Sequence, residues 1–128
     1  MSYYFSKKLN ISFEEAIDKV KIELSKEGFG ILTEINVKEV LKKKLGVDFP
    51  KYVILGACNP PLAYEALKSE DKIGTMLPCN VIVQEISPFQ SEVSAIDPVA
   101  SMKAVENPEL YNIAKKVQSK LRTVISRI

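Results

Sequence analysis

Apolar positions recur along the chain in two rhythms, and each change of rhythm marks an element. Tyr3–Leu9 reads as a first strand, with Tyr3, Phe5 and Leu9 apolar and Lys7-Lys8 near its end. Phe13, Ala16, Ile17, Val20 and Leu24 then fall at helical spacing and predict a helix over Phe13–Glu27. Ser12 with Glu15 three residues on has the form of a capping box, in which hydroxyl and carboxylate satisfy two helix-end amides reciprocally. Gly28 stops the helix. Phe29–Ile35 returns to period two, with Phe29, Ile31, Thr33 and Ile35 on one face and Gly30, Leu32 and Glu34 on the other. Asn36 with Glu39 opens a short helix carrying Val37, Val40, Leu41 and Leu45, and Gly46 closes it.

The pattern changes character at Tyr52–Cys58. Val53-Ile54-Leu55-Gly56-Ala57-Cys58 is almost continuously apolar, as in a strand covered on both faces. It runs into Asn59-Pro60-Pro61, an N-cap followed by prolines at first-turn positions, where the missing N–H costs nothing. A third helix follows with Leu62, Ala63, Ala66 and Leu67, then a polar connection over Ser69–Leu77. Cys79–Ile86 and Ser91–Ile96 read as a strand hairpin joined through Ser87–Gln90. Asp97-Pro98 and Asn107-Pro108 open two further helices. The last bears Leu110, Ile113, Ala114, Val117, Leu121, Val124, Ile125 and Ile128 on one wide stripe. About five strands and four or five helices without strict alternation predict a single α+β domain over residues 1–128 with a mainly antiparallel sheet. Its second face calls for a cover, from the C-terminal helix or from a second subunit.

Composition narrows the chemistry. The chain has 128 residues, enough for one domain with a real core, and a net charge of +2. That charge argues for no nucleic-acid partner, and Lys42-Lys43-Lys44 is read as the solvated face of a helix because no aromatic residues interleave. No apolar run has membrane-spanning length, and the first residues show no apolar leader core, so a cytoplasmic setting and no membrane partner are the expectations. Histidine is absent, which removes the commonest general base and metal ligand. No metal site, phosphate-cradling glycine loop or nucleophile elbow is legible, and enzyme activity is not the leading expectation.

Candidate chemistry gathers at the two cysteines, each followed by asparagine: Cys58-Asn59 and Cys79-Asn80. Without a secretion signal they are expected to be free thiols. The nine residues of Ser69–Leu77 are enough to carry the chain back to the end of the sheet where the third helix began. That favours antiparallel neighbours with both cysteines at one end, rather than roughly 20 Å apart at opposite ends. Gly56, two residues before Cys58, is expected to leave space beside the thiol. A helix N-terminus favours anions and lowers a nearby thiol pKa. Gly56, Cys58, Asn59, Cys79 and Asn80 are therefore the candidate ligand-binding residues, for a small anionic or thiol-reactive ligand. The competing reading makes both cysteines small core hydrophobes and both asparagines caps and turn formers.

Gly28-Phe29-Gly30, Leu45-Gly46, Ile54-Leu55-Gly56-Ala57-Cys58-Asn59-Pro60, Leu62-Ala63, Leu77-Pro78-Cys79-Asn80-Val81 and Asp97-Pro98 occur in an order that resembles the family catalogued as domain of unknown function 302. The resemblance covers nearly the whole chain. It implies a compact α+β domain similar to the TATA-binding-protein-type arrangement of antiparallel sheet and helices, with a homodimer as the expected assembly. It implies no activity and no cofactor. Three functions stay open: a small-ligand binding module around Cys58, Asn59 and Cys79; a thiol-dependent redox or sulfur-relay protein using Cys58; and a structural or regulatory oligomer.

Overall fold

A computed structural model describes residues 2–128. Five strands, β1 (Tyr4–Leu9), β2 (Gly30–Asn36), β3 (Tyr52–Cys58), β4 (Cys79–Ser87) and β5 (Gln90–Ile96), form one sheet in the order β1-β5-β4-β3-β2. Every neighbouring pair is antiparallel. Five helices accompany it: α1 (Phe13–Lys26), α2 (Val37–Leu45), α3 (Pro60–Ser69), the single turn α4 (Pro98–Ser101) and α5 (Pro108–Arg127). The predicted α+β class and antiparallel sheet are those observed. The polar connection after α3 is not irregular throughout, because Asp71–Met76 winds into a 3₁₀ helix that buries Ile73.

Side-chain caps start the helices where the sequence signals them. Asn36 accepts from the Glu39 amide, Asp97 from those of Val99 and Ala100, and Asn107 from those of Glu109 and Leu110. At α1 the reciprocal box takes a different form. Ser12 Oγ accepts from the Glu15 amide and donates to the Glu15 carboxylate, so the carboxylate meets the hydroxyl rather than a backbone amide. Gly28 and Gly46 close α1 and α2 at φ of 84° and 69°, the left-handed region that a side chain would strain.

One sheet face is covered and the other is bare. α1 packs on β4 and β5, and α5 packs on β1 and β5. Between them they bury Val53 and Leu55 of β3, Val81 and Val83 of β4, and Val93 and Ala95 of β5 under Ala16, Val20, Leu24, Leu121 and Val124. Each valine or leucine among them contributes about 1.5–3 kcal/mol by leaving water. A second, smaller cluster joins Ala66, Ile73, Met102, Leu110, Ile113 and Ala114 around the first half of α5. α5 thus spans both clusters: its C-terminal half lies on the sheet, its N-terminal half on α3 and α4.

β2 departs from the expected alternation. Its register to β3 shifts between Ile31 and Thr33, which pair with Ala57 and Gly56, leaving Leu32 as an extra, unpaired residue. After this bulge the strand changes faces: Ile31 packs on the covered side, while Thr33 and Ile35 lie on the bare one. No residue from 30 to 50 is buried, although ordering each one costs about 1–2 kcal/mol of backbone entropy. Among the described residues no helix is long and apolar enough to cross a membrane.

Candidate functional site

The junction of β3 and α3 is held by Asn59. Its side-chain oxygen accepts from the Leu62 amide at 3.4 Å, and its amide group donates to the Glu27 carbonyl at 3.2 Å. The Ala63 amide donates to the Asn59 carbonyl at 2.9 Å. Pro60 and Pro61 carry no N–H. All the leading donors of α3 are therefore absent or engaged, and the amides expected to hold an anion are not free. Asn59 is buried and committed on both sides of its amide, so it is a clamp between the end of α1 and the start of α3. We expect Asn59→Ala to lower stability by about 1–2 kcal/mol through the lost cap and the orphaned Glu27 carbonyl. Asn59→Ser, which keeps a capping oxygen but is too short for Glu27, should fall between the two in a thermal or urea melt. Equal losses in both variants would contradict this division of labour.

The β3–β4 register places Ala57 opposite Cys79 and Gly56 opposite Asn80. Cys58 follows Ala57 directly, so both cysteines lie at the same end of the sheet, as the length of the connection suggested. Both are free thiols. Cys79 is buried, and burial, with a smaller contribution from the neighbouring Cys58, pushes its thiol up from the ordinary 9.0 to about 11. Cys58 is half-buried.

Gly56 and Asn80 do not join them. They form a cross-strand pair on the bare face, where Asn80 is exposed beside Ile82 and Tyr52. The space expected above Gly56 is filled: a Cβ there would collide with Thr33 Oγ1 and stand 2.8 Å from Pro78 Cγ. Of the five candidates, Cys58, Asn59 and Cys79 meet at one place.

That place is a cleft of about 320 Å³ between the sheet's end and the smaller helical cluster. Ala57, Cys58 and Cys79 contribute from the strands, Leu62, Ala63 and Ala66 from α3, and Leu110, Ile113 and Ala114 from α5. Met102, Leu77 and Pro98 complete the wall, which is almost wholly carbon and sulfur. Leu32, turned out of register by the bulge, stands exposed at the margin with Leu67. The sequence carries one signal for this cleft. Ala63 and Ala66 on α3 and Ala114 on α5 all line it, small residues where larger ones would close the gap. The α5 residues were legible as core but not as a ligand wall, and the position of Leu32 depends on a bulge that leaves no mark in the polar alternation.

The chain matches no curated protein. It does align with a crystal structure described as an uncharacterized conserved protein DUF302 from Bacillus stearothermophilus, with a TM-score of 0.90 and 27% identity over 99% of this chain and 98% of that one. The family described as Domain of unknown function DUF302 matches residues 5–128, from within β1 to the last residue, and so includes both cysteines and every wall of the cleft. By sequence and by fold alike, the chain belongs to that family.

Proposed function

We propose that this domain is a small-ligand binding module whose cleft takes an apolar molecule, or the apolar part of a larger one, against Cys58 and Cys79. One observation carries this reading: a cavity of about 320 Å³ with an apolar wall, set between two core clusters. Ligand sites begin at about 300 Å³, whereas voids in packed interiors seldom exceed a water molecule. The saturated donors of Asn59 and α3 favour an uncharged occupant over an anionic one. Each methylene moved from water into such a wall contributes about 0.8 kcal/mol, so a chain of six carbons gains about 5 kcal/mol before the cost of association. The two free thiols fit a reducing, cytoplasmic setting.

The test is titration with the neutral fluorophore N-phenyl-1-naphthylamine, followed by displacement with 1-octanol. Saturable enhancement is expected in the wild-type protein. A loss of at least tenfold in affinity is expected in Ala63→Phe, which fills the cleft from half-exposed α3 and should keep the far-UV CD spectrum. Absence of saturable binding, or undiminished binding in Ala63→Phe, would refute the reading.

Thiol chemistry at Cys58 is the second reading. It rests on the half-buried sulfur in the same wall. Cys79 supports it poorly, because its thiol holds its proton well above neutral pH.

A further inference from the structure

No charged residue lines the cleft, but charge stands along one of its edges. On α5, Ile113 and Val117 line the cleft, and Lys116 and Lys120 each follow one of them by three positions. Residues three apart are neighbours on a helix surface, so the two lysines form a basic row beside the apolar one. They line an open depression with Lys26, Glu27, Gly28 and Pro61. Asn59 and Leu62 line both this depression and the cleft, so the two hollows adjoin across the start of α3.

The charges in the depression are unevenly engaged. Lys26 pairs with Glu23 at 2.9 Å, and the Glu27 carboxylate is taken by Arg127 at 3.0 Å. Lys116 and Lys120 have no ion-pair partner among the described residues. Four residues apart on one helix, they repel each other, and an anion between them relieves that repulsion. A second hollow, with Glu65, Glu109 and Lys68, has the opposite balance of charge, but it shares only Ile113 with the cleft. The sign of a ligand's charge is therefore a sharp test of which edge it uses.

We propose that the cleft's ligand is a single-chain anionic amphiphile, such as a fatty carboxylate, whose alkyl chain lies in the cleft and whose head rests between the ammonium groups of Lys116 and Lys120. This names the ligand class and rests on the cleft being a ligand site at all. The cleft itself still takes only uncharged carbon, because the donors at the start of α3 are engaged and the head stays outside the apolar wall. Leu62, half-buried, gives the chain an apolar path from one hollow to the other. Lysine suits such an edge, since its stem lies along apolar surface while its ammonium stays in water. An apolar pocket with a few polar groups at its margin is the usual form of a small-molecule site, the polar groups fixing the orientation.

Displacement of N-phenyl-1-naphthylamine by three chains of one length tests this: octanoate, 1-octanol and octyltrimethylammonium, at about pH 7, where the carboxylate is ionised. Octanoate is expected to bind about fivefold tighter than octanol, and the ammonium more weakly than either. Raising NaCl from about 0.05 M to about 0.5 M should shrink the preference, because the lysines are open to water. In Lys116→Gln/Lys120→Gln, octanoate should fall to the affinity of octanol. Octanol carries no charge and so reports on the cleft alone in that same protein. Lys116 is exposed and Lys120 half-buried, and glutamine keeps the helix, so the variant should fold. Octanoate no tighter than octanol, the ammonium tightest of the three, or a preference for octanoate that survives in the double variant overturns the proposal and leaves the cleft a ligand site. Failure of all three to displace the fluorophore overturns the reading of the cleft, and this proposal with it.

Discussion

Gly56→Ala is expected to destabilise the domain by about 2–4 kcal/mol, toward the upper end of what an inserted methyl costs in a packed site. The new carbon would collide with Thr33 Oγ1 and lie 2.8 Å from Pro78 Cγ. The first contact is with a β-branched side chain whose rotamer is stiff in a strand, and the second is with a ring that cannot rotate away. A chain of this size commonly has a total stability of about 5–15 kcal/mol, so the loss should be plain in a urea melt. Adding Thr33→Ala removes the closer contact and leaves Pro78, so the double variant should regain part of the loss. An unaltered midpoint for Gly56→Ala, or no recovery in the double variant, would contradict the contact geometry.

Alkylation is expected to separate the two thiols. At about pH 8 the thiolate of Cys79 should be roughly 100-fold scarcer than that of an ordinary cysteine, because its pKa is pushed from 9.0 to about 11. Burial slows it further, so peptide mass spectrometry after iodoacetamide treatment should find Cys58 modified first and Cys79 modified only on unfolding. Equal rates would remove the assignment. The same shift predicts a stability change with a definite sign. The unfolded chain releases the Cys79 proton through pH 9, while the folded chain holds it to about 11. Between these values the folded state binds more protons, and stability therefore falls as pH rises. The gap corresponds to a stability loss of about 2–3 kcal/mol, which begins as pH rises past about 8 and is complete above the folded value. Cys79→Ser should flatten this part of the pH profile relative to wild type, and an identical slope in the variant would refute it.

Local signals were legible where one residue type has one mechanical use. Ser12, Asn36, Asn59, Asp97 and Asn107 each mark a helix start because a short polar side chain there meets an orphan amide. Gly28 and Gly46 mark ends for the complementary reason of positive φ. Tyr52–Cys58 was legible to the residue, since an apolar run stopped by Asn-Pro-Pro has little freedom in its bounds. The meeting of Cys58 with Cys79 was legible through chain length alone, because a connection long enough to return to its starting end leaves the strands antiparallel.

The sequence by itself determined the elements, the α+β class and the proximity of the two thiols, all of which follow from periodicity, capping and reach along the chain. Only the tertiary structure decided what surrounds them. Which face Gly56 and Asn80 occupy depends on the pleat relative to α1 and α5, and the apolar run of β3 looks the same from either side. The bulge at Leu32 reverses the facing of β2, because one extra residue inverts a period of two. The cleft exists because Ala63, Ala66 and Ala114 come together from helices far apart in sequence, and no local pattern records a volume left unfilled. A site of this kind is a property of packing between elements, whereas the elements themselves are properties of neighbouring residues.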